Sequence, residues 1–231
     1  MEVSDLLNEL ELHPPTDLSP VRRRHRDKAI TLIREESLLH PAHSFNTVRL
    51  HGIDDDGQLC VGGEILQAPA QLPKQGELAA LGCGVCTLGP RLDVRIRLLI
   101  AEKRAALALA LDYLGNELLI ALSRRLEDLI QANVHSLGLS MGQELMIEDS
   151  ESDLSTHAAI LRLAGAAEIG ITLHRSNLLL PLKSTAVAFT VGRNLQQESR
   201  HHCKQCTLRK GCTLDNWSIP AIVPTVCPSL G

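Results

Sequence analysis

The chain has 231 residues, with 23 Lys and Arg against 27 Asp and Glu, a net charge of -4, and 44 % apolar but only 2 % aromatic residues. That length and composition suit one large domain with an aliphatic core, and the acidic balance excludes nucleic acid as the main partner. Every 18-residue window carries charge and Met1-Glu2-Val3-Ser4-Asp5 is no signal sequence, so no membrane is expected and the expected location is cytoplasmic.

Residues 1–40 read as an N-terminal helical segment. Val3, Leu6, Leu7 and Leu10 recur at helical spacing until His13-Pro14-Pro15 ends the run. A second helix is predicted to begin with Ser19 as N-cap and Pro20 in its first turn, and to run to about Leu39. Arg22, Arg23, Arg24, Arg26 and Lys28 form a basic cluster on it. The plain reading is a solvated helix face; the functional one is docking onto an acidic partner or phosphates.

Residues 41–195 read as the body. Ser44 to Leu50 alternates apolar and polar residues, as a half-buried strand does. Asp54-Asp55-Asp56-Gly57 is a turn, and Gln58–Val61 and Glu64–Leu66 form further strand on either side of Gly62-Gly63, giving a hairpin. The Asp triplet lacks the spacing of a calcium loop. Glu77 to Thr87 is an apolar run that predicts a buried strand. Its Cys83 and Cys86, three apart, point to opposite faces of a strand unless Gly82 and Gly84 bend it. They read as two buried thiols, with a redox or metal pair as the alternative.

Thr87 to Gln131 is predicted as one long central helix, started by Gly89-Pro90. Leu107, Leu111, Leu114, Leu118, Leu122, Leu126 and Leu129 form its apolar stripe; Asp112, Asn116, Ser123 and Glu127 fall on another face. Gly115, inside the pattern, suits either ordinary packing or close approach of a backbone or ligand. Asn133 to Gly142 reads as a connector and Glu148 to Asp153 as an acidic loop. A helix from Leu154 to about Ala164 follows, capped by Ser152 or Asp153 and closed by Gly165. Ile169–Leu173, Leu178–Pro181 and Thr185–Val191 read as strands, with His174–Asn177 as a turn. Lys183 and Ser184 are a polar pair in apolar surroundings, and Lys183 reads as a snorkelling lysine before a ligand contact.

Residues 196–231 are a Cys-rich segment. Cys203, Cys206 and Cys212 have the spacing C-x2-C-x5-C, and Cys227, His201 or His202 would supply a fourth ligand. Thiolates so spaced reach one soft metal; an iron–sulfur cluster and zinc both satisfy the spacing. A tail of free thiols is the plain alternative.

The order of several blocks from about 45 to 193 resembles the activation (reactivation) domain of cobalamin-dependent methionine synthase, most closely its stand-alone relatives beside corrinoid methyltransferases. The blocks are Gly62 to Ile65, Cys86-Thr87-Leu88-Gly89-Pro90, Leu111-Asp112-Tyr113-Leu114-Gly115-Asn116-Glu117, Ile169 to Leu173, and Leu180-Pro181-Leu182-Lys183-Ser184. The resemblance implies an α+β fold with a mixed or antiparallel sheet and a long central helix. It also implies a domain that binds S-adenosylmethionine and presents its methyl group to a reduced corrinoid carried by a partner. The family's Arg-x-x-Pro-Gly-Tyr motif matches Gly138 to Gln143, where only the glycine, Gly142, is kept. The candidate cofactor-binding residues are thus Asp112, Gly115, Glu117, Gly142 and Lys183, and the candidate metal ligands are Cys203, Cys206, Cys212 and Cys227. No catalytic residue is assigned.

Two functions follow. One is an accessory protein that docks on a corrinoid protein or corrinoid methyltransferase and assists its reactivation, using the Cys-ligated site. The other is an S-adenosylmethionine-dependent methyltransferase acting on cob(I)alamin. A zinc-stapled interaction scaffold is a weaker third. Oligomeric state is open, a homodimer included.

Overall fold

Two strands set the frame, because their sequences are apolar on both faces. Glu77–Thr87 (β4) and Ser184–Arg193 (β8) pair antiparallel over almost their whole length. Such doubly apolar runs are stable only where both faces of a sheet are covered. Around them Ala42–Ile53 (β1), Leu59–Val61 (β2), Glu64–Leu66 (β3) and Ser140–Glu144 (β5) complete a six-stranded antiparallel sheet in the order β3-β2-β1-β4-β8-β5. Thr172–Leu173 (β6) and Leu179–Leu180 (β7) form a separate two-stranded ribbon.

The structure is a computed structural model that describes residues 3–12, 18–67, 76–145 and 151–195. These all fall in one unit, Met1–Ser199. Residues 68–75, much of the acidic loop at Glu148 to Asp153, and the whole of 196–231 lie outside the described residues.

One face of the sheet carries Glu151–Leu163 (α5). Leu81, Cys83 and Val85 of β4 pack there with Leu59, Val61, Leu66, Ala159, Ile160 and Leu163. The other face carries Ala105–Ser136 (α4). Gly82 and Gly84 give this helix room: a Cβ at either would lie 2.8 Å from Ile130. The two glycines therefore bring helix close to strand and do not bend β4, so Cys83 and Cys86 stay on opposite faces. Val3–Leu12 (α1) and Pro20–Glu35 (α2) pack against α4 in turn. Ser19 caps α2 through Arg22 N–H, with Pro20 in its first turn as predicted.

The α+β class, the antiparallel sheet and the long central helix are as expected. Several boundaries are not. The central helix is two: Arg91–Ala101 (α3) and α4, parted at Glu102-Lys103-Arg104. Lys103 takes a left-handed φ of 58°. Its N–H bonds the Ile100 carbonyl and that of Arg104 bonds Leu99, which closes α3 as a glycine would. A non-glycine in this conformation costs roughly 1 kcal/mol or more. The buried stripe of α4 continues from Leu126 to Ile130, leaving Leu129 41 % exposed, because a helical period near 3.6 drifts past a strict three-four count.

The expected connector Asn133 to Gly142 is instead the end of α4 and the start of β5. Of the expected strand Ile169–Leu173 only Thr172–Leu173 (β6) is strand; Ile169 ends a 3-10 turn, Ala166–Ile169, flanked by Gly165 and Gly170 at φ of 73° and 75°. Helix α2 stops at Glu35 rather than Leu39, and α5 begins at Glu151 rather than Leu154. Among the described residues only α4 is long and apolar enough to cross a membrane. Its apolar stripe is spent on the sheet and on α2, so it is a core helix.

Candidate functional site

Where β4 ends and β8 begins, a set of polar groups converges under α3 and α4. Thr87 and Ser184 are register partners. Gly89 N–H donates to Thr87 Oγ1 at 3.0 Å, which frees the Thr87 hydroxyl to donate to the Lys183 carbonyl at 3.3 Å. Ser184 Oγ lies 2.8 Å from Thr87 Oγ1 and 2.7 Å from the Pro181 carbonyl. Leu88 N–H also donates to the Lys183 carbonyl, at 2.9 Å.

On the other side, Asp93 in the first turn of α3 accepts Leu182 N–H on Oδ2 at 2.7 Å. Burial pushes the Asp93 carboxyl pKa up, against the Leu182 hydrogen bond and the Lys183 charge, which pull it down. The segment 181–184 is thus held at its backbone from both strand and helix, and Lys183 has one direction left. Its Nζ donates to Asp112 Oδ1 at 2.7 Å and to Asn116 Oδ1 at 2.6 Å. Only 10 % of the lysine side chain is exposed, against 41 % for Asp112. Lys183 is therefore a buried, doubly bonded cation rather than a snorkelling one.

Gly115 belongs to the same construction. A Cβ there would lie 2.7 Å from Leu92 Cδ2 and 3.1 Å from Lys183 Cε. The glycine makes room for the lysine stem. Asp112, Gly115 and Lys183 are brought together; Glu117 and Gly142 are not part of this group.

Glu117 is buried against α2, where its Oε2 lies 2.6 Å from Arg26 Nη1. Burial raises its pKa and the Arg26 charge works against that rise. Gly142 sits on the edge strand β5, beside Thr190 Oγ1 at 2.5 Å from an added Cβ. Met141 pairs with Val191, seven residues along β8 from Ser184. That is roughly 20 Å of strand, so the structure puts Gly142 and Gly115 at opposite ends of β8.

The polar group has an apolar rim. Leu109, Asp112, Tyr113 and Asn116 are spaced i, i+3, i+4 and i+7, one face of α4. Leu109 and Tyr113 are 55 % and 61 % exposed, and Leu182, beside the lysine, 51 %.

Among the described residues no three His, Cys, Asp or Glu stand close enough to hold a metal ion. Cys83 and Cys86 are fully buried, and burial pushes both thiols up to about 12, which makes them poor ligands and nucleophiles. Cys203, Cys206, Cys212 and Cys227 lie outside the described residues. Sequence reasoning missed Asp93, and missed the joint use of Asp112 with Asn116. The four-residue spacing of the latter on a helix was the available signal.

No family model matches the chain, and no curated protein matches it. Among solved structures, the fold is similar to one described as the crystal structure of the MetH reactivation domain bound to AdoHcy. The identity is 15 % and the TM-score 0.48, over 82 % of this chain and 72 % of that one. The likeness is one of fold.

Proposed function

We propose that this protein is an accessory component of corrinoid-dependent methyl transfer, docking on a corrinoid-carrying protein and helping to return its cobalt to the active state. The observation that carries the docking part is the rim formed by Leu109, Tyr113 and Leu182 around the Lys183–Asp112–Asn116 group. Single exposed apolar residues are ordinary. Leu109 and Tyr113 share one face of α4 with Asp112 and Asn116, and Leu182 is the chain neighbour of Lys183, so all three border a buried, doubly bonded cation, which suits a partner surface. The resemblance in sequence blocks from about 45 to 193 supplies the chemistry of that partner.

In this reading the cysteines Cys203, Cys206, Cys212 and Cys227 hold an iron–sulfur cluster or zinc, supported by their spacing alone. A cytoplasmic location belongs to the same reading. The alternative, S-adenosylmethionine bound between Gly115 and Gly142, has less support. The space at Gly115 is filled by Leu92 and Lys183, that at Gly142 by Thr190 and Leu195, and the two lie far apart along β8.

Anaerobic purification followed by metal analysis and absorption spectroscopy tests the cluster. Stoichiometric iron with sulfide, or zinc, supports it, and a colourless metal-free protein removes it. Calorimetry with S-adenosylmethionine tests the alternative, which saturable heat would favour.

A further inference from the structure

In the basic cluster on α2, Arg26 is paired with Glu117, and Lys28 borders a cavity. The cavity, about 220 Å³, lies between α2 and the α3–α4 turn and is lined by His25, Lys28, Lys103, Arg104, Ala105, Ala106 and Leu107. We propose that it binds the phosphate group of a small molecule.

Its lining carries two lysines, an arginine and a histidine, from two separate elements, and no carboxylate. In a chain of net charge -4 that is a local reversal of sign. Two acids adjoin the lining in sequence, Asp27 and Glu102; Glu102 is shared between Arg95 Nη1 at 3.0 Å and Arg104 Nη1 at 3.3 Å, which leaves Lys28 and Lys103 as the cations with no carboxylate of the lining beside them. His25 Nδ1 donates to the Val21 carbonyl at 2.9 Å, which fixes the ring at the edge of the cavity.

The floor adds backbone donors. Arg104 opens α4 without a side-chain cap, and the first-turn residues Ala105 and Ala106 are part of the lining. First-turn N–H groups and the helix dipole favour an anion. The cavity's volume falls below the roughly 300–1,000 Å³ of clefts that enclose drug-sized molecules, and all of its lining except His25 and Leu107 is exposed, which suits one small anionic group open to solvent.

Lys103 offers a clean test. It stands at φ 58°, a conformation glycine adopts freely, so Lys103→Gly removes the cation without disturbing the turn. Inorganic phosphate is titrated into the full chain at low ionic strength and followed by amide chemical shifts. The expected result is saturable shifts at Ala105 and Ala106, with binding weakened about tenfold in Lys103→Gly and in Lys28→Ala. Glycerol phosphate as a second probe separates sources: saturation by both assigns a phosphate monoester, saturation by phosphate alone a free oxyanion. Shifts that never saturate, that chloride at matched ionic strength reproduces, or that persist unchanged in both variants overturn the proposal.

Discussion

Arg26 and Glu117 meet between α2 and α4 with Nη1 2.6 Å from Oε2, and only 11 % and 9 % of their side chains are exposed. The pair anchors α2 to the body, and its geometry is imperfect, since Arg26 Nη2 is buried without a partner. Removing one member leaves a buried charge. Glu117→Leu or Arg26→Met alone is therefore expected to cost about 3–5 kcal/mol, while the two together cost far less than the sum. Denaturant titration of the four proteins in a double-mutant cycle measures this.

Gly115→Ala sets two effects against each other. Alanine favours a helix interior over glycine by about 1 kcal/mol. Its Cβ would meet Leu92 at 2.7 Å and Lys183 at 3.1 Å. Leu92 is fully buried and has no room to yield, and overpacking of this kind costs about 1–3 kcal/mol. The expected outcome is a net loss, read as a lower denaturation midpoint.

These two positions also mark what the sequence could and could not tell. The leucine stripe of α4 and the apolar runs of β4 and β8 are local patterns, and they were legible. Lys183 was not, because Asp112 and Asn116 stand 71 and 67 residues away in the chain. Glu117, expected at a cofactor site, is instead half of a buried ion pair, and that was hidden because its partner, Arg26, lies in another helix. The break at Lys103 was hidden because a lysine occupies a turn position where glycine is the usual signal. Strand β5, Ser-Met-Gly-Gln-Glu, has little strand propensity of its own and exists because β8 offers it an edge.

Cys83 and Cys86 predict an alkaline limit to stability. Both thiols sit at about 12 when folded against an ordinary value of 9.0. Their contribution is complete below about pH 9 and is lost as pH rises toward 12, because the unfolded chain gives up protons that the folded one keeps. Each thiol removes up to about 1.4 kcal/mol per pH unit in that window. Denaturation midpoints across the range should fall, and fall less steeply in a Cys83→Val, Cys86→Ala variant. Under native conditions near neutral pH, both thiols should resist alkylation.

Tyr113→Lys and Leu182→Lys place charges on the exposed rim. Neither side chain is part of the core, so stability should change by no more than about 0.5 kcal/mol. If the rim is a docking surface, either substitution should weaken complex formation by tenfold or more, a loss of about 1.4 kcal/mol.

The most direct test of the account is the binding isotherm between the intact protein and a purified, cobalamin-loaded corrinoid protein, with Tyr113→Lys and Leu182→Lys measured beside it. The account predicts saturable binding by the unaltered chain and its loss in both variants at unchanged thermal stability. Absence of binding, or equal binding by all three, would contradict it.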